Sequence, residues 1–222
     1  MASPCLSVSS FQSVMKAETD KVFKANPHLH DQRIDFPWCT GYLGRINSQV
    51  MFLAENPSLG RLRNAAKDNT KRDPELQWSI SIGDRIFRSA LVKSGFKEAP
   101  WDGRGGWHCY ITNIVKMAAL ASEWEDMSEE KMIEIAKAFA PVLKREIEVM
   151  KPMMIVVMGQ RTRRLFLCLL CKNLLKLPLQ TRIAGVKHYA FFNRGGKTTE
   201  NVEEYEVDFK RIKAEIDALS LV

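Results

Sequence analysis

Val50-Met51-Phe52-Leu53-Ala54-Glu55-Asn56-Pro57-Ser58-Leu59-Gly60 is the stretch whose reading decides the fold. Val50 to Ala54 is short, apolar and bounded by turn signals, as a strand buried on both faces of a parallel sheet must be. Pro57 has no N–H to offer, so the ladder stops there. Glu55 and Asn56 are therefore expected at the carboxyl end of a central strand. Ligands of open α/β sheets bind at that edge, where the departing loops open a crevice. A polar pair there is a candidate for chemistry, although Asn-Pro-Ser is also an ordinary turn sequence.

The remaining chain repeats the strand and helix alternation. Trp107 to Ile111 reads as a second strand delivering Thr112 and Asn113 to the same edge, and Met153 to Met158 as a third, turning through Gly159-Gln160-Arg161-Thr162 into a helix. Gly185 to Phe192 reads as a fourth, whose exit holds His188 and Asn193-Arg194-Gly195-Gly196-Lys197. Helices are expected from Phe11 to Ala25, from about Asp84 to Ser94, from Ser128 as cap to Met150, from Gly159 to near Leu175, and from Glu200 to Leu219. The basic stretch Arg61 to Asp73 has no core face and reads as a loop over the crevice. This order predicts a three-layer α/β/α sandwich with a four-stranded, mainly parallel central sheet.

At 222 residues and 45% hydrophobic content the chain is expected to be one domain over residues 1–222. No segment approaches the roughly 20 apolar residues of a membrane span, and the N-terminal residues lack the pattern of a secretory signal. An intracellular protein, cytoplasmic or nuclear, is expected. The net charge of +7 is spread over several segments, a field suited to a polyanion. Five cysteines form no disulfide framework. Cys168 and Cys171 have a metal-like spacing but lie in an apolar helical run, which favours buried small hydrophobes, and no metal site is expected. His28 and His30 read as solvated loop residues.

Four segments, spanning most of the chain from Val50 to Arg194, resemble the uracil-DNA glycosylase superfamily. Ala54-Glu55-Asn56-Pro57-Ser58 is similar to the Gly-x-Asn-Pro-Gly catalytic loop of some members, and Glu55 matches the acid of the Gly-Glu-Ala-Pro-Gly version in thermostable ones. Trp78-Ser79-Ile80-Ser81-Ile82-Gly83 resembles the segment whose aromatic stacks on an extruded base. Cys109-Tyr110-Ile111-Thr112-Asn113-Ile114-Val115-Lys116 resembles the strand end whose Asn reads the base edge, and Leu143 through Lys151-Pro152 to Gly159 resembles the helix and strand that follow it. His188-Tyr189-Ala190 stands where the family has His-Pro-Ser or His-Pro-Ala. Ala54, Ser58 and Tyr189 depart from those motifs, and the iron–sulfur cysteines of thermostable members have no counterpart, so no cofactor is expected.

The resemblance implies a DNA-repair N-glycosylase that removes uracil or a related deaminated base. Its expected partner is DNA, single- or double-stranded, with no membrane and no second subunit. Glycosidic cleavage puts positive charge on the sugar and negative charge on the base, and water attacks the sugar. Asn56 can hold that water, Glu55 can act as base or countercharge, and His188 can donate to the base oxygen. Asn113 carries the donor and acceptor needed to read uracil, and Trp78 can stack on it. Lys187, Arg194, Lys197 and the Ser58 to Gly60 amides are phosphate candidates. Each has a plain structural reading beside it: a salt bridge for Glu55, a locally bonded strand end for His188, a core position for Trp78 and a solvated rim for the cations. Two other functions compete, a nucleic-acid-binding member without catalysis and an unrelated α/β protein binding a free nucleotide.

Overall fold

The computed structural model describes residues 8–32, 43–58, 82–101, 103–188 and 198–219. Five strands, β1 (Leu43–Gly44), β2 (Val50–Ala54), β3 (Tyr110–Asn113), β4 (Met154–Met158) and β5 (Arg182–Val186), form a sheet in the order β1-β3-β2-β4-β5. The last four are mutually parallel, as expected. The two-residue β1 adds an antiparallel edge beside β3. Every residue of β2 and of β4 is buried, the signature of strands covered on both faces.

Among the described residues, six α-helices, α1 (Val8–Ala25), α2 (Ile82–Lys93), α3 (Ala121–Glu125), α4 (Glu129–Met150), α5 (Gln160–Cys171) and α6 (Thr198–Leu219), flank the sheet. Strand alternation sorts the core into two halves. Met51 and Leu53 of β2, with Tyr110, Ile155 and Val157, pack with residues of α1, α4 and α5 such as Phe23, Phe139 and Phe166. Val50, Phe52 and Ala54, with Ile111, Met154 and Val156, pack with α2 and α6 residues such as Phe87, Tyr205 and Phe209. Lys151 ends α4 in the left-handed conformation, φ 44°, and Pro152 follows it.

Two strand boundaries differ from expectation. β3 begins at Tyr110 rather than Trp107, because Gly105 and Gly106 turn the chain at positive φ (66° and 65°) and Trp107 pairs instead with Lys97 across a hairpin. There the Trp107 ring lies 4.8 Å from Lys97 Nζ and 5.3 Å from Arg88 Cζ. β5 begins at Arg182 rather than Gly185: as an edge strand it leaves Arg182, Ile183 and Gly185 exposed, so no apolar run marks its start. The rest of the expected strand, 189–192, lies outside the described residues, as does the basic stretch 61–73. The cysteine reading is also corrected. Cys168 is half-buried and Cys171 exposed, because α5 meets the sheet through Thr162, Leu165, Phe166 and Leu169. Among the described residues no helix is long and apolar enough to cross a membrane, and no group of metal-ligating side chains is present.

Phe52 is the centre of the α2/α6 half, fully buried with the rings of Phe209, Phe96 and Phe87 at 5.1, 5.3 and 5.8 Å. Phe52→Ala should cost about 3–5 kcal/mol of stability, read as a lower urea midpoint with the slope unchanged.

Candidate functional site

Pairing between β2 and β3 does not stop with the strands. Ile114 N–H donates to Ala54 O (2.9 Å), Val115 N–H to Glu55 O (3.0 Å) and Ala119 N–H to Pro57 O (3.1 Å), and Ser58 bridges Ala119 in parallel. The two loops therefore leave the sheet side by side, which is how a chain with Pro57 in it still satisfies its carbonyls. Ala54 stands opposite Asn113. Asn56, in the first loop, is thus held next to the exit of β3.

Alternation decides which way each side chain points. Ala54 packs in the α2/α6 half, and Asn113, its parallel partner, projects to that same face. Asn113 is half-buried. Asn56, two residues beyond Ala54, is half-buried with Nδ2 donating to Pro57 O at 3.2 Å.

Glu55 goes to the other face. Its Oε1 lies 3.6 Å from Arg161 Nε, in the first turn of α5, and its side chain is 16% exposed. Trp124 of α3 is close enough to favour the carboxylate, yet neither Trp124 Nε1 nor Glu55 Oε1 completes a hydrogen bond. Burial is the dominant influence and raises the Glu55 pKa; Trp124 and Arg161 lower it, and Glu125 adds to the rise. The salt-bridge reading of Glu55 is thus met in the structure.

His188 follows β5, two strands from β2 and so about 10 Å along the edge. Val186 belongs to the α2/α6 core, so alternation returns His188 to the face of Asn113. It is half-buried and rests on Gly159, whose φ is 94°; a Cβ built there would lie 3.0 Å from His188 Cβ. Lys187 is exposed and ion-paired with Glu204 of α6. Ser58 is exposed at its bridge. Trp78, Gly60, Arg194 and Lys197 lie outside the described residues.

Beneath Asn113, on the α4 side, is a polar cluster that the sequence reading did not single out. Lys116 Nζ donates to Thr112 Oγ1 (2.6 Å), Asn113 O (2.6 Å) and Glu146 Oε2 (2.7 Å). Glu146 Oε1 accepts from Tyr110 OH (2.8 Å) and Thr112 Oγ1 (2.7 Å). The ion-pair side chains are wholly buried. Burial drives Glu146 upward and Lys116 downward in pKa, each against the pull of the other. The signal in the sequence was Glu146 itself, a carboxylate within the inward stripe of Phe139, Val142, Leu143, Ile147 and Met150.

Residues 41–210, most of the chain, match the family model described as the uracil DNA glycosylase superfamily. No curated protein matches the chain.

Two substitutions test this geometry. Gly159→Ala combines a disfavoured backbone with a tight approach to His188; it should lower stability by about 1–3 kcal/mol and shift the His188 ring resonances. For Glu55, a folded-state pKa above the unfolded one means that its stabilising contribution is present below the unfolded value and lost as pH rises through the folded one. Glu55→Gln should therefore match the parent's Tm at about pH 4 and exceed it near pH 7. A Tm difference independent of pH would contradict this.

Proposed function

We propose, since this chain belongs to the uracil DNA glycosylase superfamily, that it hydrolyses the N-glycosidic bond of uracil, or of a related deaminated base, in DNA. The observation that carries this reading is the continued β2–β3 pairing, which holds Asn56 beside the exit of Asn113 while His188 shares the Asn113 face. Those three positions match what the reaction asks for. A uracil presents a carbonyl and an adjacent ring N–H, and one carboxamide answers both; cytosine offers the reverse pattern and is rejected.

In this reading the Asn56 amide holds the attacking water and its carbonyl faces the cationic sugar. His188 donates to the base oxygen as charge accumulates there. Glu55, on the opposite face with Arg161 as its partner, serves as a countercharge under the loop rather than as the water's holder. A duplex target must first be flipped out of its stack. Trp78 stacks on the base. Ser58, Gly60, Lys187, Arg194 and Lys197 attend the phosphates, Lys187 exchanging Glu204 for the nucleic acid. The protein works as a single-domain monomer without a cofactor, as the first step of base excision repair.

Single- and double-stranded oligonucleotides carrying one uracil, hypoxanthine or xanthine, treated with alkali after incubation, should break at the modified site. Asn56→Ala should lower kcat by about a hundredfold or more, and Asn113→Ala should lower kcat/KM with less effect on oligonucleotide binding. Salt-sensitive binding with no strand breaks on any substrate would instead assign the chain to a binding member without catalysis. That second reading is favoured by Ala54 and Ser58, where the active loop carries glycines.

A further inference from the structure

We propose that Glu146, on α4 and out of reach of any base, is a positioning residue for Asn113, and that it acts through Lys116. This rests on the reading of Asn113 as the group that recognises the base. The bonding is complete on both sides. An ammonium has three N–H donors, and Lys116 has three acceptors within 2.7 Å: a hydroxyl, a peptide carbonyl and a carboxylate. Thr112 Oγ1 has one proton, given to Glu146, and a lone pair that receives Lys116. With Lys116 as ammonium and Glu146 as carboxylate, every proton in the pattern has an acceptor.

The carbonyl so gripped is that of Asn113 itself. The preceding residue, Thr112, is held through its side chain to the same carboxylate, and Tyr110 two residues earlier is held there as well. All of this lies on the α4 face, whereas the Asn113 side chain projects to the other. Glu146 thus fixes the peptide from behind and sets the direction in which the carboxamide leaves it. A core needing only cohesion would be served as well by apolar side chains of the same volume, because buried ion pairs replaced in that way commonly cost no stability. What an apolar pair cannot do is hold a carbonyl in place.

The test replaces both charges together, Lys116→Met with Glu146→Leu, so that neither is left buried alone, and adds Thr112→Val beside Thr112→Ser. Four readouts are taken: Tm, the Asn113 side-chain amide resonances without ligand, the binding of free uracil, and kcat/KM on a uracil oligonucleotide. The double variant should still fold, with a Tm lowered by the Tyr110 and Thr112 hydroxyls that lose their carboxylate, while the Asn113 amide signal moves or broadens and the β4 amides stay in place. Uracil binding and kcat/KM should fall roughly ten- to a hundredfold, as expected of a misplaced contact. Thr112→Ser, which keeps the hydroxyl, should stay near the parent, and Thr112→Val should follow the double variant in part. An unchanged Asn113 signal in a folded double variant overturns the proposal. If the double variant does not fold, the Thr112 pair decides: equal Asn113 signals in the Val and Ser forms overturn it. A parent that neither binds nor releases uracil, with the Asn113 signal still responding to these changes, would sink the glycosylase reading and leave the positioning role standing.

Discussion

The site depends first on three backbone hydrogen bonds that carry the pairing of β2 and β3 past the end of the sheet, from Ile114, Val115 and Ala119 to Ala54, Glu55 and Pro57. A loop leaving a strand normally has freedom to wander, and fixing each residue costs roughly 1–2 kcal/mol in backbone entropy. Here one loop is the template for the other. The loop that carries Asn56 is ordered by the segment that follows Asn113, so two groups from distant parts of the sequence hold a fixed spacing before any ligand arrives. Preorganisation of that kind is what makes a polar site useful in a reaction where charge develops.

Below this layer the protein accepts a cost. Taking an ammonium and a carboxylate out of water opposes folding by several kcal/mol per ion, and their attraction offsets it only when every remaining donor and acceptor is used. The Lys116–Glu146 cluster meets that condition, with Tyr110 and Thr112 filling the other places. Gly159 shows a second departure from plain stability. Its φ is positive, 94°, and its missing side chain makes room for His188. Both departures stand at the same edge of the sheet, and local rules are most often broken where a site is being built.

Much of this was legible in the sequence, for reasons specific to each element. β2 and β4 are unbroken apolar runs ended by turn residues, so their existence and their carboxyl ends were plain, and with them the positions of Glu55, Asn56 and Gly159. β3 could be found from Tyr110-Ile111, but its start could not, because a Trp and a Cys ahead of it look like strand while two glycines turn the chain. β5 was hardest. An exposed edge strand gives no burial pattern to read, and the apolar run Tyr189-Ala190-Phe191-Phe192 further along the sequence drew the expectation forward. The cysteines of α5 misled in the opposite sense, since an apolar helix need not bury all its sides. The polar cluster under Asn113 escaped because its members come from β3, the loop after it and α4, and only the fold shows that Thr112, Lys116 and Glu146 meet.

Adjacent residues at a strand end compete for one role only if they face one way, and Glu55 and Asn56 do not. Met51 and Leu53 point to the α4 half and Val50, Phe52 and Ala54 to the α2 half, so the chain enters the loop already committed to placing Glu55 with the former set. There it meets Arg161, which α5 presents two residues after Gly159. A cation in the first turn of a helix is poorly placed for that helix's dipole, so the nearby carboxylate stabilises the guanidinium as much as the reverse. The pair couples the β2 loop to the β4 exit, in the same way that the backbone bonds couple it to β3. With one acid committed to that task on one face, the other face of the loop presents an amide, a group able to donate and accept without a buried charge of its own.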